Sequence, residues 1–361
     1  MRIFQNSGLY LGYRRRLNQL VGSAKGFVEL RDIFLNDRYG ALHFLQPVLN
    51  ADPSAFFTNG DDERMQRTWA VENGMAKSAS LDDILLAQIE EHRTDVFYNL
   101  DPMRYGNAFL GRLPGCVKRT IAWRAAPSAG GDFSNHDIVV NNFLSLLEGY
   151  RAEGMRAEYF APAHDPVMDS YAANDDRPVD ILFIGGYSRH HRNRANMLEA
   201  VASLRDQYNI RFHLDRSRLT RLAETPVGIF GPLASHRRPK AIREVSAASL
   251  FGCGLYLAIS QAKIVVNGAI DMSGNDRGNM RCWEAMGCGA SLISDEGVYP
   301  EGMISDHTMA TYSSNKQLIS KIHKLLADDL QRQQLATNGN QMIRTNFNKD
   351  KQWAAFEKLC S

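Results

Sequence analysis

Glu284 and Arg281 stand three residues apart in the segment GNDRGNMRCWEAMGCGASLISDEG, residues 274–297. That spacing puts a carboxylate and a guanidinium on one face of a helix of about two turns. The segment reads as a glycine-broken loop, this helix, a Gly-Cys-Gly stop and a short apolar strand. The first N–H groups of a helix have no internal partner and point toward an incoming anion. A carboxylate only accepts, so Glu284 has the chemistry to take two neighbouring hydroxyls of a sugar ring. Phosphate at the helix start and ribose on the carboxylate would together hold a nucleotide diphosphate. The plainer alternative is a surface ion pair. Three glycines before the helix and two at its end, Gly287 and Gly289, favour close backbone approach, as a phosphate site needs. Asp276, eight residues before Glu284, is read as the cap of this helix, with a second site carboxylate as the alternative.

A second constellation is FIGGYSRHHRNR, residues 183–194, in which Gly185 and Gly186 end an apolar run. Five basic or imidazole side chains follow within six positions. Cations at a helix start oppose the dipole, so His191 and Arg194, three apart, point to an anionic ligand rather than a solvated turn. NSGLYLGYRRR, residues 6–16, is glycine-rich but lacks the G-x-G-x-x-G spacing of a dinucleotide fingerprint. Asp101 ends an apolar run before Pro102 and is read as a turn residue or a base. His136 and His164, each beside an aspartate, read as structural. No D-x-D triplet, G-x-x-x-x-G-K-[ST], G-x-S-x-G or H-E-x-x-H occurs.

The elements that must position these groups are spread over 361 residues, long enough for two domains. The chain is 44% apolar and 23% charged, with a net charge of +2, which gives no general nucleic-acid signal. Five cysteines without a C-x-x-C pair argue against zinc and a disulfide framework, and fit a reducing cytosol. No signal-peptide core or apolar run near 20 residues is present, so a cytoplasmic location is expected and any membrane contact would be peripheral.

Strand-like and helical runs alternate almost throughout. MRIFQN, SAFFTNG, DVFYNL, VKRTIAW, DIVVNN and AEYFAP read as strands of a first series, with a helix over 81–92 and another from Phe143. HDPVMDSYAANDDRP, residues 164–178, reads as a linker. VDILFIGG, IRFHL, VGIFG, AKIVVNG and ASLIS form a second series, and the last segments are helical. The pattern predicts two parallel α/β sheets, with ligands at the carboxyl ends of the strands.

The second half resembles the C-terminal domain of group 1 glycosyltransferases of GT-B fold, of the CgeB-like or spore-maturation-protein-like branch. The matching pieces are FIGGYSRHHRNR, AKIVVNGAID, NMRCWEAMGCGASLISDEG and the helical tail from YSSNKQLISK. FFTNGDDERMQRTWAVENG, RTDVFYNLDP and AEYFAPAHDP match in the first half. The resemblance implies two Rossmann-like domains facing each other across a cleft. An acceptor-side domain is expected over 1–170, a nucleotide-sugar domain over 171–345, and a helix over 346–361 packing back on the first. It implies that Glu284 binds ribose hydroxyls. Asn279, Arg281 and the amides near Gly287 and Gly289 would lie around the donor, and Gly185, Gly186, His191 and Arg194 near its diphosphate. The chain departs from the family pattern at Ala269, where histidine is common, and at Asp276, where glutamate is.

The expected activity is metal-independent and cofactor-free transfer from a nucleotide-diphosphate sugar to a glycan, protein or lipid-linked acceptor. Bacterial surface polysaccharide or glycoconjugate synthesis is its expected setting. Asp101 is the base candidate and Arg194 the stabiliser of the leaving group. A non-hydrolysing sugar-nucleotide epimerase and a catalytically silent sugar-nucleotide-binding protein are the alternatives. Donor sugar and base, stereochemistry and oligomeric state are not legible in the chain.

Overall fold

A computed structural model describes all residues except 129, 190, 227, 229–230 and 269–273. The chain divides into two compact units. The first comprises Met1–Ala163, Ser273–Asp276 and Phe347–Ser361; the second comprises His164–Met272 and Arg277–Asn346.

The first unit is built on strands β1 (Ile3–Ser7), β2 (Ala55–Asn59), β3 (Val96–Asn99), β4 (Arg119–Trp123), β5 (Ile138–Asn141) and β6 (Ala157–Tyr159). They form one parallel sheet in the order β2-β1-β3-β4-β5-β6. Every residue of β3 and β5 is buried, the pattern of strands covered on both faces. Phe4, Leu85, Phe97 and Phe109 pack on one side, and Tyr98, Ile121, Phe160 and Phe356 on the other. Phe356 comes from the terminal helix Lys349–Cys360, which Asn348 caps by accepting from the Lys351 N–H at 2.9 Å. The Lys349 ammonium is buried and donates to the carbonyls of Ala41, Leu42 and Phe44 at 2.8, 3.2 and 2.8 Å. Three backbone oxygens thus satisfy a cation that would be costly alone.

The second unit carries β7 (Val179–Gly186), β8 (Ile210–Asp215), β9 (Ser246–Ala248), β10 (Ala262–Val266), β11 (Ser291–Asp295) and β12 (Ala310–Tyr312). Their order is β12-β11-β10-β7-β8-β9, again all parallel. Ile181, Phe183, Leu198, Phe212, Ile264 and Ile293 are central to its core. Both sheets match the doubly wound α/β expectation. Each winds outward from its first strand, then crosses back to add strands on the other side. The reversal lies between β1 and β3 in one unit and between β7 and β10 in the other. In such sheets ligands bind outside the carboxyl ends of the strands at this reversal.

Two readings need correction. Residues 164–178 are not wholly irregular: Met168–Ala172 is a short helix whose Met168 is fully buried. Asp165 accepts from the Val167 N–H at 3.3 Å just before it. The strand read in VGIFG falls largely outside the described residues; from Gly231 to His236 the chain is 3-10 helical.

Candidate active site

Asn279 opens the Met280–Gly287 helix at the carboxyl edge of the second sheet. Its carboxamide oxygen accepts from the Arg281 N–H at 3.1 Å, so Asn279 is the N-cap. Its amide nitrogen donates to the Asn267 side-chain oxygen at 3.2 Å, and Asn267 in turn donates to the Ser294 hydroxyl at 3.0 Å. One chain of side-chain hydrogen bonds therefore fixes the helix start to the ends of β10 and β11. Asp276 does not cap this helix. Its carboxylate accepts from both the Ser145 N–H and the Ser145 hydroxyl at 2.7 Å, at the first turn of the Leu144–Ala152 helix of the first unit. A carboxylate satisfies free N–H groups wherever the chain brings them, and a three-residue offset sends this one elsewhere.

Arg281 and Glu284 meet as expected, Nη1 to Oε2 at 2.5 Å, with side chains only 16% and 12% exposed. This is no solvated surface pair. Burial pushes the Glu284 carboxyl above its usual range, and the adjacent guanidinium opposes the shift. The buried Nε of Arg281 has no hydrogen-bond partner among the described residues. A polar ligand at this helix start would meet the partly exposed edges of one guanidinium and one carboxylate.

Gly185 and Gly186 end β7 and pair with Leu214 and Asp215 of β8. His191 precedes the Arg192–Ala202 helix without capping it. Arg194, in the first turn of that helix, donates from Nε and Nη2 to the Gly268 carbonyl at 3.0 and 2.5 Å. Gly268 follows β10, so this guanidinium spans the reversal between β7 and β10. Arg194, Met197, Gly268, Arg277, Asp295 and Tyr312 line a cavity of about 460 Å³ at the carboxyl ends of β10, β11 and β12. Arg277 is held there by Asp295, Nε to Oδ2 at 2.6 Å.

The structure thus gathers Asn279, Arg281 and Glu284 into one group, and Arg194 with Gly268 into a second. Gly287 and Gly289 join neither. They lie at the far end of the helix, roughly 10 Å along its axis. A Cβ on Gly287 would meet Met168 and His164; one on Gly289, whose φ is +71°, would meet Arg177 at 2.9 Å. Both glycines admit packing neighbours there. Ala269 and His190 lie outside the described residues. Arg277, Asp295 and Asn267 were not anticipated, because the first two pair across 18 residues and nothing local marks them.

In the first unit Asp101 lies just past β3, at the reversal between β1 and β3. A Cβ on Gly8 would come within 2.7 Å of its carboxylate, so only glycine permits this approach. Burial first, then the Asp61 carboxylate, raise the Asp101 carboxyl above its usual range, and Arg104 opposes them. Its N–H donates to Asn99 at 3.0 Å. Asn99 also accepts from Asn6 at 3.2 Å and donates to the Tyr105 carbonyl at 2.9 Å. Asn6 takes the Gly60 N–H at 2.9 Å. A polar floor therefore runs along this edge, and its signal was in the chain: IFQN, FFTN, VFYN and IVVN all end in asparagine.

With this geometry in place, residues 192–358 match the family described as glycosyl transferase-like. No curated protein matches the chain significantly. Among solved structures, Anabaena HepE in complex with UDP-glucose aligns over 99% of both chains at 12% identity, with a TM-score of 0.58. Sucrose-phosphate synthase from Thermosynechococcus elongatus covers 99% of this chain and 98% of its own at 14% identity, with a TM-score of 0.54. TarM from S. aureus, in complex with fondaparinux, alpha-GlcNAc-glycerol and UDP, covers 78% of this chain and 59% of its own at 10% identity, with a TM-score of 0.55. The fold is GT-B, and the family match is glycosyltransferase-like.

Proposed function

We propose that this protein is a metal-independent glycosyltransferase that moves a sugar from a nucleotide-diphosphate donor to a hydroxyl acceptor. A bacterial surface glycan or glycoconjugate is the acceptor class. The observation that carries the reading is the Asn279–Arg281–Glu284 group at a helix start, inside the stretch that matches the glycosyl transferase-like family. The HepE structure holds UDP-glucose and the TarM structure holds UDP with glycan ligands, which supports this class of donor and acceptor. CgeB-like kinship remains part of the proposal.

In transfer, the acceptor oxygen bonds to the anomeric carbon as the bond to the diphosphate oxygen breaks. The electron pair leaves with the diphosphate, and the acceptor proton must go to a base. Glu284 would hold the ribose hydroxyls, while His191 and Arg194 meet the charge developing on the diphosphate. Asp101 is the base candidate: its raised carboxyl makes it a better proton acceptor than an exposed aspartate.

A panel of sugar nucleotides tests this. Release of nucleotide diphosphate that depends on acceptor supports transfer. An isomerised sugar would mean an epimerase, and binding without turnover a silent binder. Turnover is expected to persist in EDTA, because the positive groups near the diphosphate are organic side chains. Loss in EDTA with recovery on magnesium or manganese would overturn the metal-free reading.

Asp101→Asn separates chemistry from stability. A carboxyl raised in the folded state contributes stability below its folded pKa and loses it as pH rises through that value. Above that value the half-buried Asp101 carboxylate is therefore a burden, and at neutral pH the amide should raise the melting temperature. Transfer should nonetheless fall by roughly a hundredfold, within the usual range for a general base. Full activity in the stabilised variant would remove Asp101 from the mechanism.

A further inference from the structure

The short helix Arg218–Ala223 in the second unit reads RLTRLA, and of its six residues only Ala223 is buried. Leu219 and Leu222 are 47% and 54% exposed, and Arg218 and Arg221 are exposed beside them. Alternating leucine and arginine on an open face has no role in the core or in the candidate active site. The charge around it is one-sided. Residues 211–240 hold seven Arg and Lys against two acids, in a chain whose net charge is +2. Glu224 engages Arg216 at 3.5 Å and the buried Arg238 at 2.5 Å, and Glu244 engages Lys240 at 3.5 Å, so Arg218 and Arg221 are the cations that stand beside the leucines.

The helix is also firmly mounted. Ser217 caps it, accepting from the Thr220 N–H at 3.0 Å. Arg237 donates to the Ala223 carbonyl at 2.6 Å and the Thr225 carbonyl at 3.0 Å. Arg189, in the loop after β7, donates to the Arg237 carbonyl at 2.9 Å. The exposed leucines are thus held out by a scaffold of buried and backbone contacts, and are not the frayed end of a loop.

We propose that this face docks on an anionic lipid surface. Such a surface rewards both halves of the pattern: guanidinium groups meet the headgroup charge, and leucines enter the headgroup–acyl boundary. A nucleic acid would reward the arginines alone and leave the leucines in water, and no aromatic side chain stands between them for a base to stack on. No helix of the described residues is long and apolar enough to cross a membrane, so the contact is peripheral. The inference is independent of the nucleotide-sugar reading.

The test is co-sedimentation of the full chain with vesicles of phosphatidylcholine alone and with added phosphatidylglycerol. Binding is expected only with the anionic lipid, and should weaken from low to high salt. Each arginine near such a surface strengthens binding by roughly fivefold, so Arg218→Gln with Arg221→Gln should weaken it by roughly twenty-five-fold. Leu219→Ser with Leu222→Ser should leave only salt-labile binding. Both pairs should keep the wild-type melting temperature and far-ultraviolet circular dichroism, which report that they are folded. Equal binding to both vesicle types, or wild-type vesicle binding by the arginine pair, overturns the proposal. So does preferential binding of a single-stranded RNA oligonucleotide over the anionic vesicles.

Discussion

Arg194→Ala is expected to lower kcat by roughly a hundredfold or more, the scale of losing one preorganised donor to a developing oxyanion. The donor KM should change less, because charge on the leaving diphosphate grows mainly in the transition state. Two of the guanidinium's nitrogens already grip the Gly268 carbonyl, which fixes the side chain across the reversal between β7 and β10. A group anchored this way needs little reorganisation when the charge appears. The same grip sharpens the conservative test. Arg194→Lys keeps the charge but cannot keep two N–H bonds on one carbonyl while facing a phosphate, so rescue should be partial. A side chain that only secured the backbone would lower the melting temperature in both variants and leave kcat per folded molecule intact. A wild-type kcat in folded Arg194→Ala would exclude the leaving-group role.

Long apolar strands flanked by turn residues were legible. MRIFQN, DVFYNL, VDILFIGG and AKIVVNG fall on β1, β3, β7 and β10 within a residue or two. These are the strands nearest each sheet's reversal and are largely buried, so apolar residues dominate them, while β1 and β3 also bury Gln5, Asn6 and Asn99 in hydrogen bonds. The two strands not anticipated, β9 and β12, have three residues each and lie at the edges of the second sheet. Three residues carry no usable period, and SAA has no β-branched side chain. Edge strands are kept short for good reason, since long exposed ones invite pairing with other chains.

The candidate site was legible where it is local. Glu284 and Arg281 share a helix turn, so their spacing alone predicts the ion pair that forms. Partners distant in sequence were not. Nothing near Asp276 points to Ser145, 131 residues away, and nothing near Arg194 points to the Gly268 carbonyl, 74 residues away. A glycine admits close approach without saying of what, and at Gly287 and Gly289 the near neighbours are Met168, His164 and Arg177.

Glu284→Ala is expected to weaken nucleotide-diphosphate binding by about ten- to a hundredfold, as loss of a charged hydrogen bond costs roughly 1.5–3 kcal/mol. The structure adds a second consequence. Arg281 is only 16% exposed and Glu284 is its partner at 2.5 Å, so the alanine variant leaves a guanidinium largely out of water with its charge unanswered. The free protein should therefore melt lower, while saturating nucleotide, whose phosphates can answer Arg281, should recover part of the loss. Glu284→Gln separates the two effects. It keeps an acceptor for a ribose hydroxyl but removes the charge, so binding should fall less than in the alanine variant. The wild-type pH profile supplies the remaining check. Burial raises the Glu284 carboxyl, so on acidification it protonates before exposed carboxylates do. Nucleotide affinity should begin to fall on the acid side above the ordinary carboxylate range, and that limb should be absent in Glu284→Gln. Calorimetry that finds unchanged affinity in folded Glu284→Ala, with the acid limb intact, would take Glu284 out of the binding site and leave it a buried structural ion pair.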